Sequence, residues 1–271
     1  MPTAREMGNV ILLWDDAASD GTTTIHTHST ETSGYVAESL LDTDRQTCFM
    51  TTATGTVLVS FNLQSPQTIK YISIHNHNMS TKTCTTFDIY RSADGSAWTL
   101  VTSWPLSDIG NDDFMVPING GTGLSYQYWK LEFTGTDAGF YLGRVFLARS
   151  YYELPKGIAV GSEKGYLKNE SVILTPGSIE HRMSKGPKRR VLRAMIPSAE
   201  TAVRDQIAAM VDSCDVNDKC FVMSWPGGTT LYTGVNRYGA AVHARLNVEA
   251  WLYAMKWAGL TDLPLDAVEV L

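Results

Sequence analysis

The chain has 271 residues, of which 44% are hydrophobic and 18% are charged, and its net charge is −6. A chain of this length can bury one large core or two ordinary ones. The negative charge argues against a protein that covers nucleic acid, which needs a basic face. No apolar run approaches the ~20 residues that cross a bilayer, so we expect neither a nucleic-acid partner nor membrane insertion.

The charge is divided unevenly along the chain. Residues 1–150 hold 8 Lys and Arg against 15 Asp and Glu, for −7, and residues 151–271 hold the other 14 and 13, for +1. The change near Tyr151 predicts two domains, 1–150 and 151–271. The short apolar run before Asp15 and Asp16 does not fit a secretory signal, so we expect synthesis in the cytoplasm. The four cysteines include no Cys-x-x-Cys pair, and we expect them to be reduced.

Alternating apolar residues predict β-strands throughout the first half. Val10–Leu13 begins the series, and the polar stretch Thr22–Ser33 predicts an exposed edge strand. The turn Ser92–Gly95 contains the Asp-Gly pair that tight turns favour. Two alternating runs lie at the centre: Val57, Val59, Phe61 and Leu63, then Ile69, Tyr71, Ser73 and His75, with Ile72 and Ile74 on the opposite face. Further strands are predicted at Phe87–Arg91, Trp98–Trp104, Tyr128–Phe133 and Tyr141–Ala148, and about eight short strands predict a sandwich.

The second half has the pattern of a smaller α+β module. One helix is predicted at Ala199–Asp212, with Ser198 as its N-cap and Val203, Ile207, Met210 and Val211 on one face. The predicted strands are Ser171–Thr175, Ile179–Met183, Arg189–Ile196, Asp218–Ser224, Thr229–Val235 and a long final strand, Arg245–Trp257. A turn at Lys185–Lys188 is expected to join the second and third of these strands as a charged hairpin; the alternative for this basic segment is a DNA-binding arm.

The first half resembles the discoidin branch of the galactose-binding-like jelly rolls. The residues that carry the resemblance come in the family's order: Leu40, Leu41, Asp42, Asp44 and Thr47, then Phe61, Asn62 and Leu63, then Ile72 and Ile74, then Phe87, Ile89, Tyr90, Ser92, Asp94, Gly95 and Trp98, then Tyr128–Phe133. The resemblance implies a jelly-roll sandwich whose loops at one end bind sugars, with His77, Asn78 and Trp104 as candidate ligand-binding residues and Trp98 as a further aromatic of suitable type. The alternative is a jelly roll that makes protein contacts only.

Two kinds of metal site come into question. The resemblance implies that Asp42, Asp44 and Thr47 lie where the family often holds a structural calcium ion, although the acidic ligand expected near the end of the domain is missing from the closing strand. His26 with His28, and His75 with His77, have the spacing that places two side chains on one face of a strand. The alternatives are a loop pinned by its own hydrogen bonds and polar residues at strand ends. Our expectation is no cofactor, with structural calcium as the open alternative.

The second half resembles the strand–helix–hairpin–strand part of minor and distal tail proteins of long-tailed bacteriophages. The resemblance rests on Arg189–Ile196, the helix after it, Phe221–Pro226, the pair Tyr238-Gly239, and Val248–Trp257. It implies a non-enzymatic structural component of a tail tip or baseplate, located in the virion. Its partners would be further copies of itself, other tail proteins and a host surface glycan. The alternative function is that of a carbohydrate-binding module.

The predicted final strand carries aromatic residues on both of its faces. Trp251, Tyr253 and Trp257 lie opposite Leu252 and Ala254, and a strand at a solvent boundary normally has one polar face. We expect these aromatics to form an assembly interface; the alternative is that they pack under the Thr229–Val235 hairpin. The chain has no Gly-x-Ser-x-Gly and no glycine-rich loop with a lysine, so the sequence predicts no enzyme.

Overall fold

The structure is a computed structural model that describes residues 10–42, 47–105, 113–154, 163–167, 170–174, 180–184, 189–196, 201–215, 221–224, 241–246 and 263–269. Beyond residue 154, side chains are described for Ile196, residues 202–214 and Val222. The fold is mainly β, with two large antiparallel sheets and, within the described residues, one α-helix. The fold class predicted from the sequence is confirmed.

The described residues of the first half form ten strands. They are β1 (Ile11–Asp16), β2 (Thr24–His28), β3 (Phe49–Thr51), β4 (Gly55–Ile69), β5 (Tyr71–His77), β6 (Thr86–Ser92), β7 (Thr99–Pro105), β8 (Phe114–Pro117), β9 (Leu124–Thr136) and β10 (Phe140–Glu153). One sheet has the order β2-β4-β9-β6-β7, and the opposing sheet includes β1-β10-β5-β8, with β3 paired to β10. The polar strand β2 is an edge strand, as its composition predicted.

The core lies between these two sheets. The five-stranded sheet contributes Val57, Val59, Phe61, Phe87, Ile89, Trp129, Leu131 and Phe133, and the opposing sheet contributes Ile72, Ile74, Phe140, Leu142, Val145 and Leu147. All of these side chains are fully buried. Apolar and polar residues therefore alternate in β4 because one face of the strand points into the core and the other points out, as the sequence indicated.

The second central run differs from its prediction in two ways. Ile69 ends β4 rather than beginning the next strand, and both faces of β5 are buried. The second face is buried because Tyr71 belongs to another apolar cluster on the far side of the sheet. That cluster consists of Ile11, Leu13, Tyr71, Met115, Phe146, Ala148 and Val222. The opposing sheet is therefore covered on both sides.

The second half supplies part of that cover. Its elements are β11 (Glu163–Leu167), β12 (Glu170–Leu174), β13 (Glu180–Ser184), β14 (Arg189–Ile196), α1 (Thr201–Asp215), β15 (Phe221–Ser224), β16 (Ala241–Leu246) and β17 (Leu263–Glu269). Helix α1 packs against β1 and β16, and β15 pairs with β1, with Leu13 opposite Val222. One sheet therefore runs through both halves, in the order β11-β14-β17-β16-β15-β1-β10-β5-β8. The boundary between two domains near Tyr151 stays a prediction.

The helix and the basic segment correct two details of the sequence analysis. The buried face of α1 is formed by Val203, Ile207, Met210 and Cys214, while Val211 is only partly buried. The predicted charged hairpin is wrong, because β13 pairs with β12 whereas β14 pairs with β11 and β17. Strands β13 and β14 therefore belong to different sheets. In the part of the chain that is described, no helix is long and apolar enough to cross a membrane.

Several predicted elements lie outside the described residues. They are the N-cap Ser198, the strand Thr229–Val235, and most of the predicted final strand, of which only Arg245 and Leu246 are described, as the end of β16. The last strand of the structure is β17, Leu263–Glu269, which the sequence analysis missed. It pairs with β14 and β16 inside the large sheet.

Candidate functional site

The loops at one end of the sandwich are tied together by hydrogen bonds. Asn78 follows β5, and its side-chain Nδ2 donates to the carbonyl of Gly139 at 2.9 Å while its Oδ1 accepts from the Tyr141 N–H at 2.9 Å. The Gly139 N–H in turn donates to the carbonyl of Thr51 in β3. Asn78 is buried and uses both ends of its amide within the protein. Asn78 therefore holds these loops in place rather than facing a ligand. We call this end of the sandwich, with the segments around Asn78 and Gly139, the loop surface.

His77, the second candidate for ligand binding, belongs to the core. Its ring lies edge-on to Phe114, with the ring centroids 5.4 Å apart, and its Nδ1 lies 3.4 Å from the N–H of Met79. Its side chain is almost completely buried. A histidine packed in this way supports the strand end and has no face turned to solvent.

Trp104 differs from the other two candidates because the indole nitrogen, the one polar atom of its side chain, makes no hydrogen bond. It packs against the sandwich core from β7. Its indole N–H is buried and has no hydrogen-bond partner. Buried donors are nearly always paired, so this N–H is the exception among the three predicted ligand-binding residues. Its burial nevertheless keeps it from meeting a ligand on the open surface.

The histidine pairs do not converge on a common point. His26 Nε2 lies 3.3 Å from the carbonyl of Gly95, whereas His28 Nδ1 lies 3.6 Å from Glu31. The second pair is separated by Asn76, whose φ of 53° interrupts the extended backbone. The rule that residues two apart share a face holds only for extended strands. Within the described residues, no group of three or more His, Cys, Asp and Glu is placed to hold a metal ion.

His75 instead joins a buried polar network with the order of a catalytic triad. Ser73 Oγ lies 2.9 Å from His75 Nε2, and His75 Nδ1 lies 3.3 Å from Asp113 Oδ2. Ser73 also donates its hydroxyl proton to the carbonyl of Phe114 at 2.8 Å, and both Ser73 and His75 are fully buried. A nucleophile must reach a substrate and give up its proton to the base. The network therefore satisfies buried polar groups in the sheet.

The candidate calcium loop is held by a guanidinium group. Arg144 donates through Nη1 to the carbonyl of Asp42 and through Nη2 to Asp16 Oδ2, the latter at 2.7 Å. The Asp42 side chain is exposed, as is Thr47, and Asp44 lies outside the described residues. The Arg144 guanidinium group thus already donates to one carbonyl oxygen of this loop, which a calcium ion would otherwise use as a ligand.

The loop surface also contains an aromatic residue that the sequence analysis missed. Tyr35 and Val36 are consecutive and each is 42% exposed; with Leu100 they are the exposed large hydrophobic residues of the described chain. Tyr35 is held by its backbone, because its N–H donates to Thr32 and its carbonyl accepts from Met50, which lies opposite Tyr141 of β10. The signal was an apolar pair within an otherwise polar, Thr-rich stretch.

The outer face of the five-stranded sheet carries further aromatics, but a lysine covers them. The ammonium of Lys130 lies 4.1 Å from the centroid of the Tyr90 ring and 5.4 Å from that of Trp98. It also lies 2.9 Å from Glu132 Oε2. Trp98 is therefore a partly exposed surface residue whose ring is in contact with a cation. These rings are less available for stacking than that of Tyr35.

The proposed assembly residues Trp251, Tyr253 and Trp257 lie outside the described residues. Their role as an interface stays a prediction, and so does the alternative that they are core residues.

Comparison with solved structures finds proteins that match about half of this chain. About 50% of this chain matches all of CpGH89CBM32-6, produced by Clostridium perfringens, with 17% identity and a TM-score of 0.41. A pectin-binding carbohydrate-binding module matches 48% of the chain over 94% of its own length, with 23% identity and a TM-score of 0.38. SpGH29 matches 50% of the chain with 16% identity and a TM-score of 0.41, but the match spans only 28% of SpGH29. No family model and no curated protein matches the chain, and none of these comparisons supports the resemblance to phage tail proteins.

Proposed function

We propose that this protein binds carbohydrate without catalysis, through the loop surface, with Tyr35 as the residue on which a sugar ring stacks. The observation that carries the proposal is the exposure of Tyr35 and Val36 side by side at this end of the sandwich. Aromatic side chains combine a large apolar face with little loss of conformational freedom on binding. Two hydrogen bonds fix the main chain of Tyr35, so binding has to order only its side chain.

Polar groups that could bind sugar hydroxyls lie across the same surface. Lys82 donates from Nζ to the carbonyl of Ala138 at 2.9 Å, and Asp137 accepts the hydroxyl of Thr83 at 3.0 Å. An ammonium has three donors and a carboxylate has about four lone-pair sites, so both groups retain capacity for a ligand. The Tyr35 segment and the turn before β10 are separated by two strand spacings, about 10 Å. A ligand that contacts both must therefore be longer than one sugar ring.

The test is retention of the whole protein on a panel of neutral, acidic and amino polysaccharides, followed by calorimetry with oligosaccharides of the one that binds best. Tyr35→Ala should weaken binding at least ~10-fold, since an aromatic hot spot contributes more than about 1.4 kcal/mol. The matched control is Leu100→Ala, which truncates another exposed hydrophobic residue on β7 and should leave the affinity unchanged. Failure of the wild-type protein to bind any member of the panel, or a Tyr35→Ala affinity equal to wild type, would contradict the proposal.

The tail-tip function, the virion location and the ring of identical copies stay predictions, because the residues on which assembly was argued lie outside the described chain. Comparison of Trp251→Ser and Trp257→Ser with wild type tests them. Loss of assembly in variants that still unfold cooperatively would support an interface, whereas outright unfolding would place both residues in the core.

A further inference from the structure

The segment that joins β8 to β9 contains the dipeptide Asn119-Gly120, and Asn119 is the only asparagine of the chain that precedes a glycine. We call residues 119–123 the Asn119 turn. Both residues of the dipeptide are exposed to solvent. Their φ angles are 49° and 62°, a conformation that glycine adopts freely and asparagine tolerates. The turn connects the two sheets of the sandwich, because β8 belongs to one sheet and β9 to the other.

The main-chain nitrogen of Gly120 is not engaged by its neighbours in the turn. Gly121 and Gly123 both donate their N–H groups to the carbonyl of Ile118, at 3.0 and 3.1 Å. In the part of the chain that is described, the Gly120 N–H donates no hydrogen bond. No hydrogen bond therefore has to break before this nitrogen loses its proton to hydroxide and acts as a nucleophile.

The side-chain amide of Asn119 is held by one contact at the surface. Its Nδ2 donates to Thr122 Oγ1 at 2.8 Å, and Thr122 Oγ1 donates to the Asn119 carbonyl at 2.7 Å. Asn78 differs in both respects, because its amide is tied to two other segments and the next residue is Met79. Since Asn119 Cγ and the Gly120 nitrogen belong to adjacent residues, a reaction between them is intramolecular and is favoured by proximity.

We propose that Asn119 is a site of spontaneous deamidation in the folded protein, which converts residue 119 to aspartate or isoaspartate. The Gly120 nitrogen attacks Cγ of Asn119, and the Cγ–Nδ2 bond breaks. Nδ2 leaves as ammonia with the proton that Gly120 gives up, and a five-membered succinimide ring remains. Water then opens the ring: cleavage between the Gly120 nitrogen and Cγ gives aspartate, and cleavage of the main-chain bond gives isoaspartate. The sum is hydrolysis of one amide, with water as the only co-reactant.

The isoaspartate form should disturb the fold more than the aspartate form, because its main chain runs through Cβ and Cγ and is one atom longer. The turn that must accept this atom is fixed on both sides. The Ile118 N–H donates to the carbonyl of Lys70 at 2.8 Å, and a Cβ added at Gly121 would lie only 3.0 Å from the Tyr151 hydroxyl. The Tyr151 ring in turn lies 4.7 Å from that of Tyr71, in the apolar cluster on the far side of the sheet.

The test is incubation of the folded, full-length protein at mildly alkaline pH, followed by peptide mass mapping and ion-exchange chromatography. The peptide that contains Asn119 should gain the mass that replacement of NH₂ by OH adds, and the protein should gain one negative charge. The peptide that contains Asn62 is the internal control and should stay unchanged. Asn62 precedes Leu63, and its Oδ1 accepts from Gln64 and Gln127.

Two variants locate the reaction. Asn119→Gln keeps the amide but would have to form a larger ring, so it should abolish the change in charge. Gly120→Ala places a methyl group beside the attacking nitrogen, where it meets no other atom within 4 Å. It should slow the reaction at least ~10-fold, which corresponds to ~1.4 kcal/mol in the barrier.

An unchanged mass at residue 119 in the folded protein would overturn the proposal, and so would equal rates in wild type and Asn119→Gln. A reaction that proceeds in urea but not in the folded protein would also overturn it, because the folded turn would then protect the site. The separated products give a second readout. The isoaspartate form should have a lower unfolding midpoint than the aspartate form, and equal midpoints would refute the argument from the fixed turn.

Discussion

Replacement of Arg144 by methionine is expected to be among the most destabilising single substitutions in the first half. The Arg144 side chain is 1% exposed, and its guanidinium group lies 2.7 Å from the carboxylate of Asp16, which is 3% exposed. Asp16 Oδ1 also accepts from the N–H groups of Ala18 and Leu147, at 2.9 and 2.8 Å. The pair therefore ties β1, β10 and, through the carbonyl of Asp42, the loop before β3 together.

The magnitude follows from what the substitution leaves behind. Methionine fills much of the volume of the arginine, so the main loss is the partner of a buried carboxylate. Removal of one member of a buried ion pair typically costs about 3–5 kcal/mol. For a chain of this size that cost corresponds to a fall in Tm of about 6–20 °C. It is also a large share of the 5–15 kcal/mol that a typical domain has in total.

The assay is equilibrium unfolding in urea, followed by circular dichroism and tryptophan fluorescence so that coincident transitions test two-state behaviour. The matched control is Lys130→Met, which removes the cation of an ion pair whose side chains are 15% and 21% exposed. This pair is only partly buried, and ion pairs that remain in contact with solvent contribute about 0–1 kcal/mol, so the control should lose less stability than Arg144→Met. If Arg144→Met costs no more than Lys130→Met, the buried pair does not hold these segments together and the reasoning is refuted.

Four further outcomes are expected. Gly143→Ala should cost about 1–3 kcal/mol by overpacking, because an added Cβ would lie 2.6 Å from the Cβ of Asn76; an unchanged unfolding midpoint would contradict this. Burial raises the pKa of the Asp20 carboxyl, but hydrogen bonds such as those from Thr22 outweigh it and hold the pKa below its usual 3.8. The ionised Asp20 therefore stabilises the fold above pH 3.8, and this contribution is lost as the pH falls through the folded-state pKa. In Asp20→Asn the free energy of unfolding should change less with pH over that range. Burial raises the pKa of the Cys84 thiol to about 12, so at pH 8 this thiol should resist alkylation until the protein unfolds, as peptide mass mapping would show. A chelator should leave Tm unchanged; a fall of more than about 5 °C that calcium reverses would reveal a bound metal ion.

Sequence periodicity was sufficient to predict the sandwich core. Val57, Val59 and Phe61 in β4 are spaced two apart, and that spacing can bury all three only if the strand has one inward face. The edge position of β2 followed from its polar composition, and the buried face of α1 followed largely from the helical spacing of Val203, Ile207 and Met210. These are local properties, because each depends on residues close together along the chain.

The candidate site was predicted less well, because it depends on contacts between distant residues. The family resemblance selected His77 and Asn78, but their polar atoms are used by Met79, Gly139 and Tyr141, and only the folded chain shows which partners they find. The apolar pair Tyr35 and Val36 stands out in a polar stretch, but such a pair is as compatible with burial as with exposure, and the folded loops decide which applies.

Tertiary structure alone determined that both faces of β5 are buried. Its outward face, with Tyr71, Ser73 and His75, would be a solvated face in an isolated sandwich. It is buried in this fold, in part because β15 pairs with β1 and carries Val222 into the adjoining cluster. Strand pairing between residues so far apart along the chain is set by the energy of the whole packed sheet. The hydrophobic periodicity of a strand therefore does not predict which distant strand pairs with it. The sequence by itself therefore determined which residues of the central strands turn inward, and the tertiary structure determined what covers the faces that turn outward.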